Sequence, residues 1–123
     1  MTDMTPLTLG AKIRALRLAK GLTQGELDDH SADAVRKALD RELDAMSPPR
    51  LVLDLEGVTF MDSSGLGVIL GRYRKISERG GQMRISSVPT QIHKLFAISG
   101  LHKVMHIHAK QGEAVRALKE VSQ

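Results

Sequence analysis

The chain has 123 residues, of which 41% are hydrophobic and 26% charged, the balance of one soluble globular domain and not of a disordered tail. Cysteine is absent, which excludes disulfides, thiolate metal sites and cysteine nucleophiles. The longest run free of polar side chains is the seven residues Gly65–Gly71, well short of the roughly 18–20 needed to cross a bilayer. No basic stretch followed by an apolar block opens the chain, so the expected compartment is the cytoplasm, with no membrane partner.

The net charge of +4 is uneven: the first 24 residues carry Lys12, Arg14, Arg17 and Lys20 against Asp3, and the remainder is close to neutral. Nucleic-acid surfaces combine basic charge with aromatic stacking platforms, and the only aromatics are Phe60, Tyr73 and Phe96; a nucleic-acid partner is not expected. In residues 1–24, Leu9, Ile13, Leu16 and Ala19 fall at helical spacing among strong helix formers, which predicts a helix. A strand there would place Arg14 and Arg17 on opposite faces and leave neither face cleanly apolar.

From Ser31 onward helices alternate with strands. Ser31 is the expected cap of a helix with Val35, Ala38, Leu39, Leu43 and Met46 on one stripe, ended by Ser47-Pro48-Pro49. Leu51–Leu55 reads as a buried strand, which Val58–Met61 extends beyond Gly57. A second helix runs from about Ser63 to Arg79 with Leu66, Ile69, Leu70, Tyr73 and Ile76 buried, stopped by Gly80-Gly81. Its basic residues Arg72, Arg74, Lys75 and Arg79 read as a solvated face. Met83 and Ile85 mark a strand, and Pro89 opens a third helix through Ile92, Leu95 and Phe96 that Gly100 closes. Val104–His108 is a further strand, and Ala114, Val115, Leu118 and Val121 form the stripe of a last helix. This alternation is that of an α/β domain with parallel strands and helices laid on the sheet. His106 and His108 share a strand face, but no third ligand is evident and a solvent-facing strand end is expected in place of a metal pair.

The stretch Phe60-Met61-Asp62-Ser63-Ser64-Gly65-Leu66-Gly67 places two hydroxyls and a carboxylate where a strand gives way to a helix. The first N–H groups of a helix lack partners within it and carry partial positive charge, so a phosphate on a serine there has donors within reach. Gly65 and Gly67 are expected to keep the approach open to another protein's active site. Asp and Ser before a helix also form an ordinary structural N-cap. Two enzyme readings fail on spacing. Gly65, Gly67 and Gly71 are one residue too widely spaced for the dinucleotide fingerprint, and the acidic residue about 20 positions on is missing from Arg84–Ser87. The serine-hydrolase elbow needs a glycine two before the serine, where Met61 or Asp62 stands.

The block Phe60–Tyr73, within Leu51–Phe96, resembles the sporulation anti-sigma factor antagonists of the STAS family. Gly25-Glu26-Leu27-Asp28 and the helix after Ser31 resemble that family's earlier signature, and Leu95–Leu101 its late helix and turn. The likeness covers about residues 25–108. It implies a STAS-like mixed β-sheet flanked by about four α-helices over residues 25–123, with no enzyme activity, cofactor or metal. It implies that Ser63 accepts phosphate from an anti-sigma factor that is a serine kinase. The unphosphorylated form would bind that kinase and free the sigma factor for transcription, and a metal-dependent serine phosphatase would reset this partner switching. Asp28 would contact the kinase, with Asp62, Ser64, Gly65, Leu66 and Gly67 around the modified serine. The alternative is a small-ligand or nucleotide-binding sensor on the same fold, since fold does not fix function.

The family places two strands ahead of Gly25, where Leu9–Arg17 and Lys20–Gln24 are instead similar to the opening of lambda-repressor-like helix-turn-helix domains. Such a domain needs further helices that have no room before the sheet pattern begins, so direct DNA binding is not implied. Residues 1–24 are therefore expected to be a helical segment in place of the usual strand pair, ahead of the domain body.

Overall fold

The computed structural model describes residues 25–120 in full and the backbone of residues 4–8, 14–18 and 121. Two strands, β1 (Met4–Thr8) and β2 (Arg14–Leu18), pair antiparallel. Strand β2 then lies parallel to β4 (Arg50–Asp54), with Arg14 opposite Leu51 and Arg17 opposite Asp54. The helix expected in the first segment is thus corrected to strands at these residues. The periodicity that predicted it leaned on Leu9, Ile13 and Ala19, which lie outside the described residues, as does Lys20–Gln24. Within Arg14–Leu18 the ladder to β4 decides, a tertiary pairing that overrides local helix preference.

Adding β6 (Gln82–Ser86) and β7 (His106–His108) completes a five-stranded sheet in the order β1-β2-β4-β6-β7, parallel from β2 onward. A second, two-stranded parallel sheet joins β3 (Glu26–Leu27) to β5 (Phe60–Met61). The strand expected to continue from Leu51 to Met61 is broken after β4 by a turn in which Val58 N–H donates to the Leu55 carbonyl.

Four α-helices are present among the described residues: α1 (Ala32–Asp44), α2 (Ser63–Glu78), α3 (Thr90–Ser99) and α4 (Gln111–Val121). A 3-10 turn, Leu101–Lys103, follows α3 after the left-handed Gly100. None of the helices is long and apolar enough to cross a membrane.

Strand β4 is buried on both sides, as its unbroken apolar run requires. Leu51, Leu53 and Leu55, with Met83 and Ile85 of β6, form the main core with Val35, Leu39 and Leu43 of α1, Ile69 and Ile76 of α2, and Phe96 of α3. Each such side chain contributes about 1.5–3 kcal/mol by leaving water. Leu66, Leu70 and Tyr73, expected in the buried stripe of α2, are only partly buried against this core. Among the described residues, the opposite face of the sheet carries a smaller cluster, Val52 with Ala114, Val115 and Leu118 of α4.

Of the basic residues read as a solvated face, Arg74 is exposed as expected, whereas Arg72, Lys75 and Arg79 turn to α1. Arg72 Nε lies 3.0 Å from Asp40 Oδ1 with only 12% of its side chain exposed, and Lys75 reaches both Asp40 and Asp44. Arg79 donates to the Leu43 and Met46 carbonyls at 3.2 and 2.7 Å, at and just beyond the end of α1. These residues clamp α2 to α1. Ser31 also departs from expectation: it precedes α1 but makes no side-chain cap, its hydroxyl donating back to the Glu26 carbonyl at 2.8 Å.

Candidate functional site

Because β3 and β5 run parallel, their C-terminal ends emerge side by side, bringing Asp28 and Asp29 next to Asp62, Ser63 and Ser64. Asp62 is the N-cap of α2, in extended conformation. Its Oδ1 accepts from the N–H groups of Ser64 and Gly65 at 2.9 and 3.1 Å, and its Oδ2 accepts from the Asp29 N–H at 3.2 Å. One carboxylate therefore ties the first turn of α2 to the end of β3. Such a cap contributes about 1 kcal/mol, more when a tertiary contact is added.

Ser63 is the first residue of the helix, exposed, and its hydroxyl makes no hydrogen bond with the described residues. Ser64 is half-buried, with Oγ 3.5 Å from Asp29 Oδ1. Leu66 is half-buried and Gly67 exposed, with open space where a side chain would stand. Gly65, in contrast, is buried: a Cβ there would lie 2.2 Å from the Leu27 carbonyl oxygen and 2.7 Å from Met61 Cγ. The expectation that Gly65 opens the surface to a partner is corrected; its missing side chain lets α2 close onto β3.

Asp28 organises its own turn. Its Oδ1 accepts from the N–H groups of His30 and Ser31 at 3.0 and 3.2 Å. Desolvation by its surroundings raises the carboxyl pKa, but the N–H donors of Ser31 and His30 outweigh this and hold it below the ordinary carboxylate value. The carboxylates of Asp28, Asp29 and Asp62 thus line the edge where the Ser63 hydroxyl emerges. No histidine or lysine hydrogen-bonds that hydroxyl among the described residues.

Two neighbours were missed in the sequence. Asp29 supplies both the N–H held by Asp62 and the carboxylate facing Ser64; the doubled aspartate after Leu27 was its only signal. Phe60 is 50% exposed beside the site, as the alternation of β5 with buried Met61 dictates. His108 Nε2 lies 3.3 Å from Arg84 Nη1 and accepts from it, since a guanidinium only donates. Among the described residues no group of three or more His, Asp or Glu is arranged to hold a metal ion.

The STAS domain family matches residues 23–114 of the chain. The anti-sigma F factor antagonist of Paenibacillus polymyxa is 44% identical over 98 residues, which span 80% of this chain and 84% of that protein. The anti-sigma-B factor antagonist of Bacillus subtilis strain 168 is 32% identical over 92 residues, 75% of this chain and 83% of that protein. Among solved structures, the Bacillus cell fate determinant SpoIIAA in its phosphorylated form superposes with a TM-score of 0.67 at 27% identity, covering 93% of this chain and 97% of that one.

Proposed function

Since this chain belongs to the STAS-domain family and, within it, to the anti-sigma factor antagonists, we propose that it is a partner switch set by phosphate on Ser63. The unphosphorylated form binds an anti-sigma factor that is a serine kinase and releases the sigma factor. That kinase phosphorylates Ser63 and binding ends; a metal-dependent serine phosphatase restores it. The observation that carries this reading is the exposed Ser63 hydroxyl, free of hydrogen bonds to the described residues, on an edge bearing three carboxylates.

The capping geometry supports the direction of the switch. The Ser64 and Gly65 N–H groups, which would otherwise receive an anion at the helix start, already hold Asp62. A phosphate of about −1.5 to −2 charges on Ser63 therefore adds to the acidic edge with little neutralisation. Docking a partner over that edge would bury the added charge, at a cost of several kcal/mol unless it is paired. At about 1.4 kcal/mol per tenfold in affinity, release follows without refolding. Partner contact is expected at Asp28, Asp62, Ser64, Leu66 and Gly67, with Phe60 as an apolar neighbour.

Incubation with an anti-sigma F factor kinase and ATP, followed by mass spectrometry, tests the reading. A single phosphate on Ser63, absent from Ser63→Ala, and loss of kinase binding by the phosphorylated form are expected. No phosphate, or a phosphate at another residue, would refute it. Backbone NMR shifts on phosphorylation should stay confined to the β3–β5–α2 corner.

A further inference from the structure

We propose that the groove between α3, the 3-10 turn and β7 is a binding site for a small anionic amphiphile, an apolar chain ending in one carboxylate or similar acidic head. The groove has a volume of about 570 Å³, within the range of small-molecule sites. Its apolar wall is Ala97, Met105 and Ile107, and the unbranched thioether of Met105 can adapt to an inserted chain. The polar groups at its margin are Thr90, His93, Lys94 and His102, with no acidic residue among the lining side chains.

The wider surroundings have the same sign. From Arg79 to Gly112 the chain contains no aspartate or glutamate, while it holds five Lys or Arg and four of the five histidines. Arg79 of these pairs with Asp44, but Lys94, Lys103 and Lys110 make no ion pair among the described residues, and such positive charge favours anions and repels cations. His102 Nδ1 donates to the Phe96 carbonyl at 3.3 Å, which leaves Nε2 without a hydrogen bond to the described residues. The same stretch exposes Ile98 at 85% and Val104 at 49%. An apolar wall with a cationic rim selects a ligand with an acidic head and an apolar body. This site is distinct from the Ser63 edge and does not depend on phosphorylation.

Titration of the full chain with dodecanoate below its micelle concentration, followed by ¹H–¹⁵N NMR, tests the proposal. Saturable shifts at the Ala97, His102 and Ile107 amides are expected, with the Ser63 amide unmoved. Shortening the probe to decanoate should weaken Kd by about tenfold, from about 0.8 kcal/mol per buried methylene. Dodecyltrimethylammonium, with the same chain and opposite charge, should produce no saturable shift. Lys94→Glu should weaken dodecanoate binding at least about fivefold. Ala97→Trp should abolish it; Ala97 is exposed, so the variant keeps the fold, as its unchanged core amides would show. No shift in the groove, an equal response to the cationic probe, or undiminished binding by Ala97→Trp would overturn the proposal. So would saturation of the same amides by a short polyglutamate peptide in place of dodecanoate, which would assign the groove to an acidic protein segment.

Discussion

The same substitution made two residues apart in α2 should change stability in opposite directions. In Gly65→Ala the new methyl would stand 2.2 Å from the Leu27 carbonyl oxygen, 2.7 Å from Met61 Cγ and 3.0 Å from Leu27 Cγ. The Met61 side chain can rotate, but the Leu27 carbonyl is backbone. Relief to ordinary contact requires α2 and β3 to separate by about 1 Å in a region packed near crystal density. That movement strains the Asp62 N–H contact to Leu27 and the Asp29 N–H bond to Asp62. Overpacking of this kind costs about 1–3 kcal/mol, while replacing glycine in a helix returns about 0.5–1 kcal/mol. The net expectation is a loss of about 1–2 kcal/mol, or about 3–10 °C in Tm for a chain of this size. Gly67→Ala meets nothing within 4 Å and should gain about 0.5–1 kcal/mol. Circular dichroism at 222 nm in urea and heat titrations of both variants measures the pair. A Gly65→Ala variant as stable as the parent would refute the packing argument.

Asp62→Ala should destabilise the chain by about 1–2 kcal/mol in urea unfolding by freeing the Ser64, Gly65 and Asp29 N–H groups, whereas Asp62→Asn, which keeps an acceptor oxygen, should lose less. Asp40→Ala leaves Arg72, 12% exposed, without its carboxylate and should cost about 1–3 kcal/mol. Asp44 is 64% exposed, so Asp44→Ala should cost less than about 1 kcal/mol; equal losses would place the clamp elsewhere. Desolvation first, then the charges of Arg84 and His106, hold His108 below its ordinary 6.5. The unfolded chain then binds the extra proton first as pH falls, so stability should decline from pH 6.5 down to the lowered native pKa and level off below it. His108→Gln should flatten that slope in unfolding curves taken from pH 7.5 to 5.

Much of the body was legible because its signals are local. Apolar runs bounded by proline or glycine marked β4, α2 and α3, and left-handed Gly80 and Gly100 stand where the helix ends were expected. The strand-to-helix step at Asp62 could be read for the same reason. The first segment could not, because Arg14–Leu18 owes its conformation to a ladder with residues some 35 positions later, which no local spacing encodes. Long-range pairing also hid the meeting of Asp29 with Asp62 and Ser64, and the embrace of Arg72 and Arg79 by α1. Gly65 was misjudged because a glycine that opens a surface and one that admits a neighbouring backbone look alike in a sequence.

The unequal cover of the central sheet divides the labour of the molecule. Among the described residues, helix α4 rests on three of its own apolar residues and Val52, while the layer bearing Ser63 shares the large cluster on the reverse side. Lifting α4 would therefore leave the serine's platform standing, and it should be shed first under mild denaturation and exchange its amides soonest. A mechanical pull or a binding event on that flank is insulated from the hydroxyl by the thickness of the sheet.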